Sequence, residues 1–187
     1  MGGFMSSIVL AGDTSGAITL AAPAVSGTNT ATLPAATGTV MVSGNMPAFS
    51  AYYSGSAQTP AANTWTKLIF NTKDFDTASA FDATTNYRFT PTVAGYYQIN
   101  LICTLGQNGT STTNFYSSIY KNGTSYANTL TGQVANGSYS NQSISIVVYM
   151  NGSTDYLEAY VNPSATGYYP QGNIRSMAFS GCLVRSA

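Results

Sequence analysis

Along the chain, apolar positions recur every second residue in short runs, and no stretch repeats them at the three-to-four-residue spacing of a helix. The longest run is Tyr96 to Leu105, with Tyr97, Ile99, Leu101 and Cys103 on one face, the pattern of a strand that buries one side. Further runs are Pro47 to Tyr53, Trp65 to Phe70, Tyr87 to Thr90, Phe115 to Tyr120, Ser125 to Leu130, Ser143 to Met150, Tyr156 to Val161 and Met177 to Val184. Asn122-Gly123 and Asn151-Gly152 each separate two neighbouring runs. Asn-Gly is the strongest short hairpin signal, because a type I′ turn needs positive φ at both central residues. The pattern predicts an all-β fold, an antiparallel sandwich of about eight to ten strands.

The texture changes near residue 46. Residues 1–46 carry one charge, Asp13, and almost no aromatics. They read as short β-like phrases, Ser7 to Leu10, Ala17 to Leu20, Thr30 to Leu33 and Thr39 to Val42, with Gly or Pro between them. Pro23 and Pro34 close two of the phrases, since proline cannot donate to a ladder. Small residues dominate, so this segment cannot build a core alone. It is either a flexible linker or an extended arm that orders against other chains. The regular apolar positions Ile8, Leu10, Ile18, Leu20, Leu33, Val40 and Val42 favour an anchoring arm over residues 1–46, followed by a sandwich domain over residues 47–187.

Composition narrows the function. Charged residues are 6% of the chain, against about 25% in an average domain, while 80 of 187 residues are Thr, Ser, Asn or Gly. Polarity therefore comes from hydroxyls and amides. The 14 Tyr and 8 Phe exclude the aromatic-poor makeup of a disordered chain. There is no His, which removes Ser-His-Asp and Cys-His catalysis, His-ligated zinc and imidazole pH switching. Six basic residues balance six acidic ones, so no basic stripe is available for a phosphate backbone, and nucleic acid is not an expected partner.

Two cysteines do not make a disulfide scaffold; Cys103 and Cys182 lie in apolar runs and read as two buried free thiols, the alternative being a bridge that needs their Cα atoms within about 7 Å. The first residues lack a basic n-region and a long apolar stretch, so no signal peptide is expected, and no window suits a membrane span. Gly2 with Ser6 matches a myristoylation pattern, which the abundance of both residue types explains as chance.

Phe70, Asp76, Phe81, Phe89, Gly95, Tyr97, Ile99 and Leu101 follow the spacing F-x5-D-x4-F-x7-F-x5-G-x-Y-x-I-x-L. This resembles the signature of the complement C1q-type globular head, a jelly roll of the tumour-necrosis-factor superfamily. Departures are one extra residue between Phe81 and Phe89, and aliphatic Ile99 and Leu101 where aromatics are usual. The ending Met177-Ala178-Phe179-Ser180-Gly181-Cys182-Leu183-Val184 and the opening Pro47-Ala48-Phe49-Ser50-Ala51 are also similar to that family's last and first strands. The resemblance implies a homotrimer packed about a threefold axis. Residues 12–35 resemble leader segments of bacteriophage fibre and decoration proteins, which with a trimeric head implies a virion surface protein.

Candidate chemical sites are few. Asp74, Asp76 and Asp82 cluster ahead of a strand but form no D-x-D-x-D-G loop, so they read as solvated loop acids with Asp76 capping a turn. Asp155 and Glu158 stand at i and i+3 after Asn151-Gly152, on opposite faces of a strand, which does not suit a glycosidase pair. Glycosylation sequons at Asn108, Asn122, Asn136, Asn141 and Asn151 are mostly Asn-Gly steps that turn chemistry explains. Tyr52, Tyr53, Tyr116, Tyr126, Tyr139, Tyr168 and Tyr169 can offer a recognition surface, with Tyr168-Tyr169-Pro170 in a Gly/Pro-bounded loop the best exposed.

These observations predict a non-enzymatic, homotrimeric phage protein located on the virion, without cofactor, metal or membrane insertion. Its expected partners are itself and the major capsid protein or a tail protein. In one reading it decorates or cements the capsid as a head fibre. In the other it is a tail-fibre or receptor-binding tip that meets a host surface carbohydrate or protein. The arm spans at most about 150 Å at about 3.3 Å per residue and has no heptads. That is short for a fibre reaching a cell, and favours decoration.

Overall fold

The computed structural model describes residues 7–11, 13–25, 27–30, 40, 42, 46–55, 58–108, 113–135, 137–166, 168–170 and 175–187. Every regular element among them is a β-strand. The chain divides into two compact units, Met1–Gly38 and Thr39–Ala187.

In the first unit, β1 (Ser7–Ala11) pairs antiparallel with β2 (Ala17–Ala21), placing Ile8 opposite Leu20 and Leu10 opposite Ile18. The β-rich character expected of the arm thus takes the form of a hairpin, which ends two residues before Pro23. All four of these apolar side chains are exposed, as are Val40 and Val42, which lie outside any strand. Leu33 lies outside the described residues.

The second unit contains β3 (Ala48–Tyr52), β4 (Thr66–Lys67), β5 (Thr72–Asp76), β6 (Phe81–Asp82), β7 (Arg88–Phe89), β8 (Gly95–Gln107), β9 (Thr113–Lys121), β10 (Thr124–Val134), β11 (Tyr139–Met150), β12 (Leu157–Pro163), β13 (Tyr168–Pro170) and β14 (Ala178–Ser186). One sheet runs β10-β9-β12-β7-β6, with β4 also on β12; the other runs β11-β8-β14-β3-β5, with β13 also on β8. All pairings are antiparallel. Strands adjacent in sequence repeatedly fall in different sheets, as in a jelly roll.

The core lies between the sheets. Alternation in β8 turns Tyr97, Ile99, Leu101, Cys103 and Leu105 inward, where each is fully buried. Phe49 sits at the centre, stacked on Phe89 at 4.3 Å and Phe81 at 5.1 Å, with Phe179 edge-on at 5.3 Å. The Tyr97 hydroxyl donates to Val93 O at 2.8 Å, and burial pushes this phenol up to about 12. The far end of the core is polar: Gln142, buried on β11, donates to Phe115 O on β9 and so ties the two sheets together.

The Asn122-Gly123 turn is as the sequence predicts, joining β9 to β10 with φ of +53° and +79°. The Asn151-Gly152 step is not a hairpin. It carries the chain from β11 in one sheet to β12 in the other, and only Gly152 has positive φ. The reason is a side-chain network: Asn151 Oδ1 accepts the N–H groups of Ser153, Thr154 and Asp155, closing a wider corner. The run Trp65 to Phe70 yields only a two-residue ladder, although Leu68 and Phe70 are buried. The strand β5 falls where loop acids were expected, and Tyr168–Pro170 is a short strand on β8 rather than a loop.

Candidate functional site

If the odd positions of β8 face the core, its even positions face away from it. On that outward side lie Tyr96, Gln98, Asn100 and Ile102. Register extends the surface across the sheet. Val147 of β11 stands opposite Gln98, which opposes Cys182 of β14, which opposes Ala48 of β3. The next row is Ser145, Asn100, Ser180 and Ser50; the row beyond is Ser143, Ile102, Ala178 and Tyr52. Ile102 at 45% and Val147 at 53% are open to solvent in the isolated chain, along with Tyr96, Tyr149, Tyr139, Phe75 and Val184, while Tyr52 is half-buried.

Several polar groups of this face bond one another. Gln98 Nε2 donates to Ser145 Oγ at 3.0 Å, and Ser145 Oγ donates to Asn100 Oδ1 at 2.9 Å. Thr104 Oγ1 donates to Asn141 Oδ1 at 2.6 Å. Charges stand only at the margins: the Arg185 guanidinium lies 5.8 Å from the Tyr96 ring, and Arg175 pairs with Asp74 at 2.8 Å beside Tyr52. Such a surface can be covered with little desolvation cost, because almost no ion must be stripped of water. What it can do chemically is associate.

The signature residues are on the other side of this sheet or across the core from it. Phe70, Phe81, Phe89, Tyr97, Ile99, Leu101 and Phe179 are buried between the sheets. Gly95 and Gly181 lie in β8 and β14, where an added Cβ would press on Leu183 Cδ1 at 2.7 Å and on Gln98 O at 2.9 Å respectively. Apart from Tyr52 and Tyr139, the residues of the outward face escaped sequence reasoning, although their signal was present: they are the positions between the signature residues, uncharged over β11, β8 and β3 and charged in β14 only at Arg185, near its end. Cys103 is buried as expected, but Cys182 is exposed, because Phe179, Gly181 and Leu183 take the inward positions of β14. Both thiols are free. Tyr53 is buried rather than on a recognition surface, while Tyr126 and Tyr139 are exposed; the side chains of Tyr168 and Tyr169 are outside the described set.

The acids are held by local contacts. Asp76 accepts the N–H groups of Ala80 and Phe81, the turn cap expected of it, although it and Asp74 belong to a strand rather than a solvated loop. Asp82 accepts from the N–H groups of Thr84, Thr85 and Asn86, and these donors hold its carboxyl far below the usual carboxylate range. Asp155 is held by Asn122 Nδ2 at 2.7 Å and Lys121 Nζ at 2.9 Å, which lower its pKa despite burial; it precedes β12 instead of sharing a strand with Glu158. Glu158 pairs with Lys67 at 2.9 Å. Among the described residues no cluster of His, Cys, Asp or Glu could hold a metal ion, and no helix is long and apolar enough to cross a membrane.

Comparison with known proteins agrees with this fold. The C1q domain family model matches residues 48–184. Among solved structures, Eiger TNF from S. frugiperda superposes with a TM-score of 0.60 at 8% identity, covering 76% of this chain and 94% of that one. Murine APRIL, solved at pH 5.0, superposes with a TM-score of 0.55 at 8% identity, covering 75% of this chain and 100% of that one. No curated protein matches the sequence.

Proposed function

The chain belongs to the C1q domain family, and from that premise we propose that it is a homotrimeric, non-enzymatic surface protein of a bacteriophage virion. The observation that carries the trimer is the outward face of the β8 sheet, charged only at its margins, with Tyr96, Ile102, Val147 and Tyr149 open in the single chain. Exposed aromatic and β-branched groups set among uncharged hydroxyls and amides make a face that another copy can cover at little desolvation cost, and a symmetric assembly covers the same patch on every copy. Burial on the order of 2,000–5,000 Å² is the scale of obligate oligomers. With ions at the margins only, the trimer is held by apolar contact and hydroxyl–amide bonds, and is insensitive to salt.

In this reading the first 46 residues are the anchor and the head projects. The β1–β2 hairpin exposes Ile8, Leu10, Ile18 and Leu20, and a two-stranded ribbon is at best marginally stable in water without a covering surface. The major capsid protein of the particle supplies that surface when the protein serves as decoration or cement. The resemblance of residues 12–35 to phage leader segments supports the virion assignment. A tail-fibre tip, anchored on a tail protein, is the second reading; it is favoured by the aromatic platform described next, which suits a receptor. Removal of residues 1–42 tests the division of labour. The account expects a soluble trimeric head that no longer enters virions. Decoration by the truncated head at normal copy number would place the anchor in the jelly roll. Copies per particle then separate the two readings, hundreds for a shell protein against a handful for a tail tip.

A further inference from the structure

The outward face of the other sheet carries a different surface. In β9, Phe115, Ser117 and Ile119 turn into the core, so Tyr116 and Tyr120 turn out. Tyr160 of β12 joins them, opposite Ser118, and Trp65 joins from the residue before β4. The Trp65 ring lies 6.4 Å from Tyr116 and 5.8 Å from Tyr120, inclined by 60° and 63°. Tyr120 and Tyr160 overlap at 4.1 Å with their planes 32° apart. All four side chains are half-buried. They are neither in the core between the sheets nor on the face proposed for self-association.

Beneath the rings, Glu158 is nearly enclosed, at 5% exposure. Its Oε1 meets Lys67 Nζ at 2.9 Å, and its Oε2 accepts from the Tyr160 hydroxyl at 3.2 Å. Desolvation first, then the neighbouring carboxylate, pushes the Tyr160 phenol up to about 12, so it remains a donor. Lys67 Nζ also donates to Asn86 O at 3.1 Å. The charges at this site are therefore used on one another. Among the described residues around the rings are two amides and an aliphatic group: Asn162 opposite Tyr116, exposed Asn128 opposite Ser118, and Leu130 opposite Tyr116.

We propose that Trp65, Tyr116, Tyr120 and Tyr160 form a platform that binds neutral hexopyranose units of a glycan. The C–H groups on one face of a pyranose carry partial positive charge and meet the negative face of an aromatic ring. Rings already fixed by one another, and by the Tyr160–Glu158 bond, lose little side-chain entropy when a ligand arrives. The amides of Asn128 and Asn162 supply donors and acceptors at the rim, the complement of sugar hydroxyls. Lys67 and Glu158 spend their charges on each other, and the Arg88 guanidinium of the same sheet lies over the Tyr156 ring at 4.4 Å, an arrangement that favours an uncharged sugar. A protein partner would need about 800 Å² of complementary surface with an apolar centre, and among the described residues the exposed aliphatic group beside the rings is Leu130.

The chain has one tryptophan, so its fluorescence reports on this site alone. The test titrates the full-length protein with neutral gluco-, galacto- and manno-oligosaccharides, and with sialylated counterparts. A saturable change in Trp65 emission is expected with at least one neutral probe. Tyr120→Ala and, separately, Tyr116→Ala should weaken that probe by about tenfold or more, equivalent to about 1.4 kcal/mol, with circular dichroism and oligomeric mass unchanged. Two variants guard against misfolding of one. The proposal is overturned if no probe alters the emission, if only the sialylated probes do, or if folded Tyr116→Ala or Tyr120→Ala binds as tightly as the parent.

Discussion

Phe49→Ala would remove the ring at the centre of the sandwich, and its cost can be built from the structure. Phe49 is 1% exposed and stands within 5.3 Å, centroid to centroid, of three other rings, Phe81, Phe89 and Phe179. Burial of a phenyl side chain lost to a cavity costs about 3–5 kcal/mol. That range already contains ring contacts, and three aromatic pairs lost at once, each worth about 0.5–1.5 kcal/mol beyond area, put Phe49 at its upper end. Collapse of the site is resisted, because the surrounding groups belong to both sheets and are themselves packed. A loss of about 4–5 kcal/mol is therefore expected, from a domain whose total stability is on the order of 5–15 kcal/mol. At about 2–4 °C per kcal/mol for a chain of this size, Tm should fall by about 10–20 °C. Phe49→Leu, which keeps most of the volume, should lose roughly a third of that. Differential scanning calorimetry at one fixed protein concentration makes the comparison, since assembly makes Tm depend on concentration. A fall of less than about 3 °C for Phe49→Ala would mean that these rings do not form the packed centre described here.

Gly152→Ala should destabilise by more than about 2 kcal/mol, because φ of +69° is unfavourable for alanine and its Cβ would press on Val93 C at 2.7 Å and Ala94 Cα at 2.9 Å; urea unfolding measures it. Stability against pH should be flat from about pH 5 to 8, since the chain has no His. Below about pH 4 it should fall: the folded-state values of Asp82 and Asp155 are lowered, so their contribution is present above the unfolded carboxylate value and lost as pH drops toward the folded one. Asp155→Asn should flatten that acid limb in thermal melts. For the thiols, Cys182 lies mid-row on the proposed interface and Cys103 is in the core, where burial pushes its thiol strongly up. A maleimide should modify neither quickly in the trimer, Cys182 alone in an Ile102→Glu variant that dissociates, and both in urea; fast labelling of Cys103 in folded protein would contradict the core assignment.

Much of the head was written in its alternation. Phe49, Tyr97, Ile99, Leu101 and Phe179 sit inward in the structure because period-2 spacing and Gly punctuation are local properties. The Asn122-Gly123 hairpin was legible for the same reason. Asn151-Gly152 misled because one dipeptide serves both a hairpin and a corner between sheets; Asn151 Oδ1 closes the corner on the next N–H groups, and Asn122, distant in sequence, holds Asp155 at its end. The strand β5 was hidden by Lys73, Asp74 and Asp76: an edge strand tolerates charge that a central one does not. The candidate faces were hardest to see. The Trp65 platform draws on residues from 65 to 160 that only sheet register brings together. The β8 face is defined by the absence of charge at positions between the signature residues, a signal that carries weight only once the strands are known to be neighbours.

Self-association through the β8 sheet is the centre of the account, and the mass of the native protein tests it most directly. Sedimentation equilibrium of the full-length chain at micromolar concentration, in both low and molar NaCl, should give a single species of three times the chain's 19.5 kDa. A folded species of one chain mass across the whole concentration range would contradict it, and would leave the exposed face of Tyr96, Ile102, Val147 and Tyr149 without the partner proposed here.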